Sequence, residues 1–407
     1  MNGACVVVGA SHAGAQLAAS LRRHGWTGRI VLVGDEACLP YHRPPLSKQY
    51  LSGEKGQHEI LIRPQAAYAK MDVHLTLGVK VEAIDRARRT AALDNGEDLH
   101  YDKLALTVGA RPRRIPIHGS ELENVFYLRN QADVDRIRAC IGSHKRAVII
   151  GGGYIGLEAA AALRSTGMAV TVLEACPRVL QRVTAPQVSA FYHRVHGEQG
   201  VEVVVDTCVE RIDGSTAAEA VACTGGRCYP ADLVIIAVGV VPNTELAASA
   251  GLAVGDGIVV DECACTSDPD IVAAGDCTWH YNSIYARHRR LESVQNAHEQ
   301  ASVAAATVCG KRDPYHALPW FWSDQYDLKL QIAGLSQGHD QVIVRGDIER
   351  GRSFAAFYMK EGRVLAVDAV NKPQEFMLAK RVIANGLTVD RTRLADETAV
   401  LKDLVST

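Results

Sequence analysis

The chain opens on a short, unbroken apolar run, Cys5-Val6-Val7-Val8, closed by glycine. A run without alternation predicts a parallel strand buried on both faces. Gly9-Ala10-Ser11-His12-Ala13-Gly14 follows, and a helical pattern continues to about Arg23. A second run, Arg29 to Val33, predicts the next strand, which ends at Gly34-Asp35-Glu36. The same pattern then returns: Ala147 to Ile150 as strand, Gly151-Gly152-Gly153-Tyr154-Ile155-Gly156 as turn, Leu157 to Ser165 as helix, and Ala169 to Leu173 as a strand ending at Glu174. Further strands are expected at Val201 to Val205, Leu233 to Val238 and Gly257 to Val260. Gln341 to Val344 and Ser353 to Met359 predict an antiparallel sheet, followed by a helix over Gln374 to Asn385.

The repeated strand–turn–helix unit points to phosphate chemistry. A pyrophosphate is held by backbone N–H groups at a helix N-terminus, where the dipole favours negative charge. Glycines permit the tight turn, the close approach and the helix–strand packing, and an acid about 20 residues on accepts from a ribose hydroxyl. The second copy fits fully, with Gly151, Gly153, Gly156 and Glu174; Tyr154 and Ile155 open its helix. In the first copy Ser11 replaces the middle glycine of Gly9-x-x-x-x-Gly14, and Gly34 takes the strand-end slot, with Asp35 one place later. One such turn is commonplace; two in the same context predict two dinucleotides, a held flavin and an exchanging nicotinamide. Glu174 accepts from a free 2′-hydroxyl and repels a 2′-phosphate, so NADH is expected over NADPH, with Arg178 as a possible weakening influence.

Size and charge narrow the class. A chain of 407 residues suits two or three domains. A net charge of −2 speaks against a generally basic nucleic-acid binder. No apolar run approaches the roughly 20 residues of a membrane helix. The start, Met1-Asn2-Gly3-Ala4, has no basic n-region, so no leader and a cytoplasmic location are expected. The 11 cysteines are scattered without CxxC spacing, and reduced, buried thiols and no metal centre are expected. Cys263 and Cys265 are expected on one face of a strand.

Several separate segments carry a family resemblance. Arg43-Pro44-Pro45-Leu46-Ser47-Lys48, Thr107-Val108-Gly109-Ala110-Arg111-Pro112, Ala237-Val238-Gly239-Val240-Val241-Pro242-Asn243 and Ala274-Gly275-Asp276 stand in the order of two-dinucleotide flavoprotein reductases. Arg178 to Pro186 and Pro319-Trp320-Phe321-Trp322-Ser323-Asp324-Gln325-Tyr326 narrow it. The chain resembles the FAD-dependent ferredoxin reductases of bacterial oxygenase systems, in the pyridine nucleotide-disulfide oxidoreductase superfamily. The resemblance implies an α/β fold with two Rossmann-like dinucleotide-binding domains, glutathione-reductase-like, plus an α+β C-terminal domain. It places a discontinuous FAD domain at 1–112 and 245–315, an NAD domain at 113–244 and the C-terminal domain at 316–407.

The same resemblance implies roles. Lys48 is expected beside the flavin N5, paired with Glu158; a cation there stabilises negative reduced flavin. FAD contacts are implied for Gly9, Ser11, His12, Ala13, Gly14, Asp35, Arg43, Pro45, Lys48, Val81, Thr107, Gly109, Arg111, Arg129, Gly275, Asp276, Val294 and Trp322. NADH contacts are implied for Gly151, Gly153, Tyr154, Ile155, Gly156, Glu174, Val238 and Gly239. Asp276 is read at the start of a helix-like stretch. The basic run Arg287-His288-Arg289-Arg290 is read as a loop or helix and as a solvated face, with docking of an acidic ferredoxin as the functional reading. The implied partner is a [2Fe–2S] ferredoxin serving a cytochrome P-450 monooxygenase, and the implied state is monomer or homodimer. Alternatives are the reductase of an aromatic-ring dioxygenase, an NADH oxidase or quinone reductase, and an NADH-responsive sensor. Disulfide reductases carry a cysteine pair near Pro44 to Lys48; here Cys38 stands alone in that neighbourhood.

Overall fold

The computed structural model describes residues 3–406 of the chain. Met1 and Asn2, part of the stretch expected to lack a leader, lie outside the described residues. The chain divides into two compact units. The first comprises Met1–His42, His58–Arg111 and Val240–Pro319; the second comprises Arg43–Gln57, Pro112–Gly239 and Trp320–Thr407.

In the first unit, β1 (Cys5–Val8), α1 (His12–Arg23) and β2 (Ile30–Gly34) form the expected unit. β1 sits at the centre of a five-stranded parallel sheet, between β2 and Lys103–Leu106, with Val73–Leu77 and Ile271–Ala273 at the edges. Its residues are buried on both faces, which is why the run reads as continuously apolar. On one side, Val7, Leu32 and Ala105 pack with Leu17 and Leu21 of α1 and with Ala301, Ala304 and Ala305 of the long helix Val294–Val308. On the other, Val6, Val8, Val31 and Val33 pack with Val81 and Ile84 of a small antiparallel sheet.

The second unit repeats the design with β3 (Arg146–Ile150), α2 (Tyr154–Ser165) and β4 (Ala169–Leu173). β3 is again central in a five-stranded parallel sheet, flanked by β4 and Leu233–Ile236. The helix α3 (Pro186–Glu198) follows. The C-terminal part of this unit is a five-stranded antiparallel sheet that begins with β5 (Trp320–Gln325) and includes β6 (Ser353–Lys360) and β7 (Arg363–Val370). The expected last helix is present at Pro373–Ala384.

Three local expectations fail. Gly275-Asp276 leads not into a helix but through a turn into the strand Thr278–Asn282. Arg287–Arg289 is itself a strand, antiparallel to Thr278–Asn282. Cys263 and Cys265 lie in a turn around Ala264, whose φ is 61°, and both backbone N–H groups are held by the Asp261 side chain. All 11 cysteines are free, as expected, but Cys208 and Cys228 are exposed, so burial does not hold for all.

Candidate functional site

The first unit builds a cradle at the end of β1. Gly9 has a φ of 108°, and a Cβ there would stand 2.2 Å from the Thr107 carbonyl oxygen. A Cβ on Gly14 would stand 2.0 Å from the Gly9 carbonyl oxygen. Both glycines are therefore required by backbone crowding. The Thr107 hydroxyl braces the turn, 2.9 Å from the carbonyl oxygens of both Val8 and Gly9. Gly34 is also forced, since its Cβ would lie 2.5 Å from Ala10 Cβ. That contact explains why the acid is displaced to Asp35, which is exposed. α1 begins without an acid in its first turn and without a capping side-chain bond from Ser11. Gly275 has a φ of 90°, a Cβ there would stand 3.2 Å from Ala13 Cβ, and its N–H donates to Gln300 Oε1 at 2.8 Å.

Other residues expected at the flavin are placed as follows. Val81 is buried in the small antiparallel sheet. Val294 opens the long helix, capped by Ser293, and Asp276 is half-buried in its turn. Gly109 has a φ of 61°. The Arg111 guanidinium is turned to Glu245, at 2.6 Å, and to Asn243 Oδ1, at 2.9 Å. His12 is buried within ring distance of His42 and His298.

The second unit builds the matching cradle. Gly151 has a φ of 113° and Gly156 abuts its carbonyl, a Cβ there lying 2.0 Å from Gly151 O. A Cβ on Gly153 would meet nothing within 4 Å, so that face of the turn is open to a ligand. α2 again starts without a capping side-chain bond or first-turn acid, and Ile155 is 45% exposed beside the open face. Glu174 is pinned by both oxygens: Oε2 accepts from Gly152 N at 2.7 Å and Oε1 from Cys176 N at 2.8 Å. Arg178 does not turn to meet a phosphate. Its guanidinium donates to the carbonyls of Thr184 and Gln181 and to Ser189 Oγ. Val238 and Gly239 follow the strand Leu233–Ile236, Gly239 with a φ of 98°.

The same unit contains the buried ion pair. Pro44–Ser47 forms a 3-10 turn, and Lys48 follows it with its Nζ 2.7 Å from Glu158 Oε2. The two side chains are 10% and 2% exposed. Ser47 Oγ also donates to Glu158 Oε2, at 2.5 Å, and Ser323 Oγ to Oε1, at 2.6 Å. Removing one partner of such a pair costs about 3–5 kcal/mol, since it strands a buried charge. Arg43 donates to the Arg129 carbonyl at 2.7 Å, which ties the Pro44-Pro45 segment to the residues before the helix Gln131–Cys140. On β5, Trp320 and Trp322 share one face with ring centroids 5.7 Å apart, while Phe321 packs on Tyr154 at 5.0 Å.

The basic run is not a freely solvated face. Arg290 is paired with Asp256 and Glu292, and His288 packs on Trp279 with centroids 4.7 Å apart. Sequence reasoning gave no role to Ser323, Gln325 and Tyr326, although they stand in the Pro319–Tyr326 segment that carries the resemblance, and it did not single out His196; these four continue the hydrogen bonds of Glu158.

The cradles fit a dinucleotide each: glycines that only backbone crowding explains, uncapped helix starts and one acid at a strand end. Residues 3–301 match the pyridine nucleotide-disulphide oxidoreductase family model, and residues 320–405 match the reductase C-terminal model. The chain is similar to putidaredoxin reductase CamA of Pseudomonas putida, 46% identical over 98% of this chain and 96% of that one. A solved covalent complex of putidaredoxin reductase with putidaredoxin matches at a TM-score of 0.96, with 45% identity over 99% of this chain and 98% of the other. The 5,5'-dehydrodivanillate O-demethylase ferredoxin reductase subunit of Sphingobium sp. is 42% identical over 99% and 98% of the two chains. The solved ferredoxin reductase for the CYP199A2 system of Rhodopseudomonas palustris matches at a TM-score of 0.96, with 38% identity over 100% of both chains. Among the described residues, no helix is long and apolar enough to cross a membrane. The chain belongs to the pyridine nucleotide-disulphide oxidoreductase family and is an FAD-dependent oxidoreductase of pyridine nucleotides.

Proposed function

We propose that this chain is a cytoplasmic NADH-dependent ferredoxin reductase that delivers single electrons to a [2Fe–2S] ferredoxin of a cytochrome P-450 monooxygenase system. The observation that carries the reading is the chemistry of the Arg43–Lys48 segment. It holds no cysteine, and its lysine is engaged by the buried Glu158 carboxylate. Disulfide chemistry at that segment has no sulfur to run on. Bound FAD supplies the exchange of a two-electron hydride for two one-electron steps.

The chain's own residues then bind, orient and balance charge. Gly9, Ser11, Ala13, Gly14 and Thr107 offer the FAD pyrophosphate a braced turn, and Asp35 an acceptor for its ribose. Gly153, Tyr154, Ile155 and Gly156 offer the NADH pyrophosphate the start of α2. Glu174 offers the adenosine ribose a fixed carboxylate and opposes a 2′-phosphate. Arg178, the cation four residues beyond Glu174, is turned into backbone carbonyls and so does not offer itself to a 2′-phosphate. Lys48 supplies a positive charge to offset negative reduced flavin, and Glu158 holds it. No side-chain acid or base is needed for hydride transfer.

The P-450 assignment rests on the higher identity to putidaredoxin reductase and the full-length match to the CYP199A2 reductase. The O-demethylase relative supports the alternative, a reductase for another oxygenase type. Genes adjacent to this reading frame separate the two. The function itself is tested by NADH-dependent cytochrome c reduction with and without added [2Fe–2S] ferredoxin. Strong activity only with ferredoxin supports the reading. Equal activity without it makes the protein an oxidase or quinone reductase, and no turnover with an NADH-induced size change makes it a sensor.

A further inference from the structure

Glu158 is the inner end of a longer array, all of it in the second unit. Ser323 Oγ lies 2.6 Å from Glu158 Oε1. Gln325 Nε2 lies 3.2 Å from Ser323 Oγ. Gln325 Oε1 lies 2.8 Å from His196 Nε2, and His196 Nδ1 lies 3.0 Å from the Tyr326 hydroxyl. Ser323, Gln325 and His196 are all buried.

The chemistry of these groups fixes the direction of every bond. A carboxylate only accepts. Its Oε2 is occupied by Lys48 and Ser47, so the single Ser323 proton goes to Oε1. The Ser323 oxygen then accepts from the Gln325 amide nitrogen. That turns the amide oxygen to His196, so Nε2 carries the imidazole proton and Nδ1 accepts from Tyr326. Only a neutral imidazole can do this. Burial, with a smaller push from His193, drives the His196 pKa down to about 4, against the opposing bond to Gln325.

We propose that Ser323, Gln325, His196 and Tyr326 are positioning residues, a one-way chain of donors that keeps Glu158 an acceptor and thereby holds the Lys48 ammonium in place. Reversing the chain would require the amide to flip, the imidazole to change tautomer and Glu158 to carry a proton. Its polarity and the ionisation of Glu158 are one property. At the outer end burial raises the Tyr326 phenol above its ordinary range, against the weaker pull of Arg164 and Arg352, so it keeps the proton that it donates to His196. The proposal rests on the role given to Lys48 above.

The test combines the holoenzyme with two probes that do not depend on turnover. Nitrogen-15 NMR of His196 is expected to show the Nε2–H tautomer, neutral at about pH 6. Infrared difference spectra of wild type against Glu158→Gln are expected to show the Glu158 carboxylate band, and Ser323→Ala is expected to shift that band and to slow flavin reduction by NADH about tenfold, the factor of one lost hydrogen bond. Ser323→Thr restores both. Tyr326→Phe, which removes one oxygen at the outer end, shifts the same signals by less, and His196→Gln, which keeps a donor toward Gln325, stays near wild type. An Nδ1–H tautomer in wild type overturns the proposal. So does a folded, FAD-bound Ser323→Ala with neither the band shift nor the slowing. If ferredoxin fails to accept electrons while the tautomer and band behave as stated, the functional reading falls and the donor chain stands.

Discussion

At position 174 a carboxylate accepts two backbone N–H groups, one from the glycine turn and one from Cys176. Those bonds hold it at the strand end without a ligand, so a ribose meets an acceptor already in place. Glu174→Ala is expected to raise the NADH KM by about 10- to 100-fold, the loss of a charged hydrogen bond of roughly 1.5–3 kcal/mol. Steady-state kinetics with unchanged NADH use would remove the role. Lys48 is governed by different physics. With its Nζ buried against Glu158, Glu158→Ala leaves an unpaired buried ammonium. Urea unfolding is expected to show a loss of about 3–5 kcal/mol. A loss below about 1 kcal/mol would mean that Lys48 escapes to solvent. Residues of the first kind were legible in the sequence because turn, helix and acid are neighbours along the chain. The Lys48–Glu158 pair spans 110 positions and was reached only through resemblance. His196 was not reached at all, since a histidine on the apolar side of a helix looks like any core residue.

Elements carry the next tier. β6 and β7 pair antiparallel and bury Asp368 completely between them and their surroundings. Its Oδ2 accepts from the Tyr358 hydroxyl, while Oδ1 has no partner among the described residues. Burial raises its pKa to about 7, against the opposing bond from Tyr358. A proton held in the folded state and released in the unfolded one makes stability fall as pH rises, by about 1.4 kcal/mol per unit between about pH 4 and pH 7. Below that window the contribution is fully present; above it the loss is complete. Asp368→Asn is therefore expected to be more stable than wild type at alkaline pH, with the advantage shrinking as pH falls through the window. An advantage independent of pH would contradict the assignment. The misread elements have a physical reason too. Arg287-His288-Arg289 carries no apolar alternation to mark a strand, yet pairing with Thr278–Asn282 orders it. Gly275-Asp276 looks like a helix start because an acid after glycine caps helices, but here the following residues are β-branched and aromatic and join a sheet.

Across the whole molecule, the same turn appears once in each compact unit, and each is closed by its own backbone crowding. This separability predicts a selective lesion. A Cβ on Gly156 would press to 2.0 Å from the Gly151 carbonyl oxygen, within the second unit alone. Gly156→Ala is expected to weaken NADH binding at least about tenfold while purified protein keeps its yellow FAD. Joint loss of both cofactors would show that the cradles do not act independently. The central claim is that a hydride from NADH leaves this protein as single electrons to an iron–sulfur partner. Anaerobic titration of NADH against excess [2Fe–2S] ferredoxin, with catalytic enzyme, tests it most directly. The account predicts two clusters reduced for each NADH consumed; NADH consumption that leaves the clusters oxidised would contradict it.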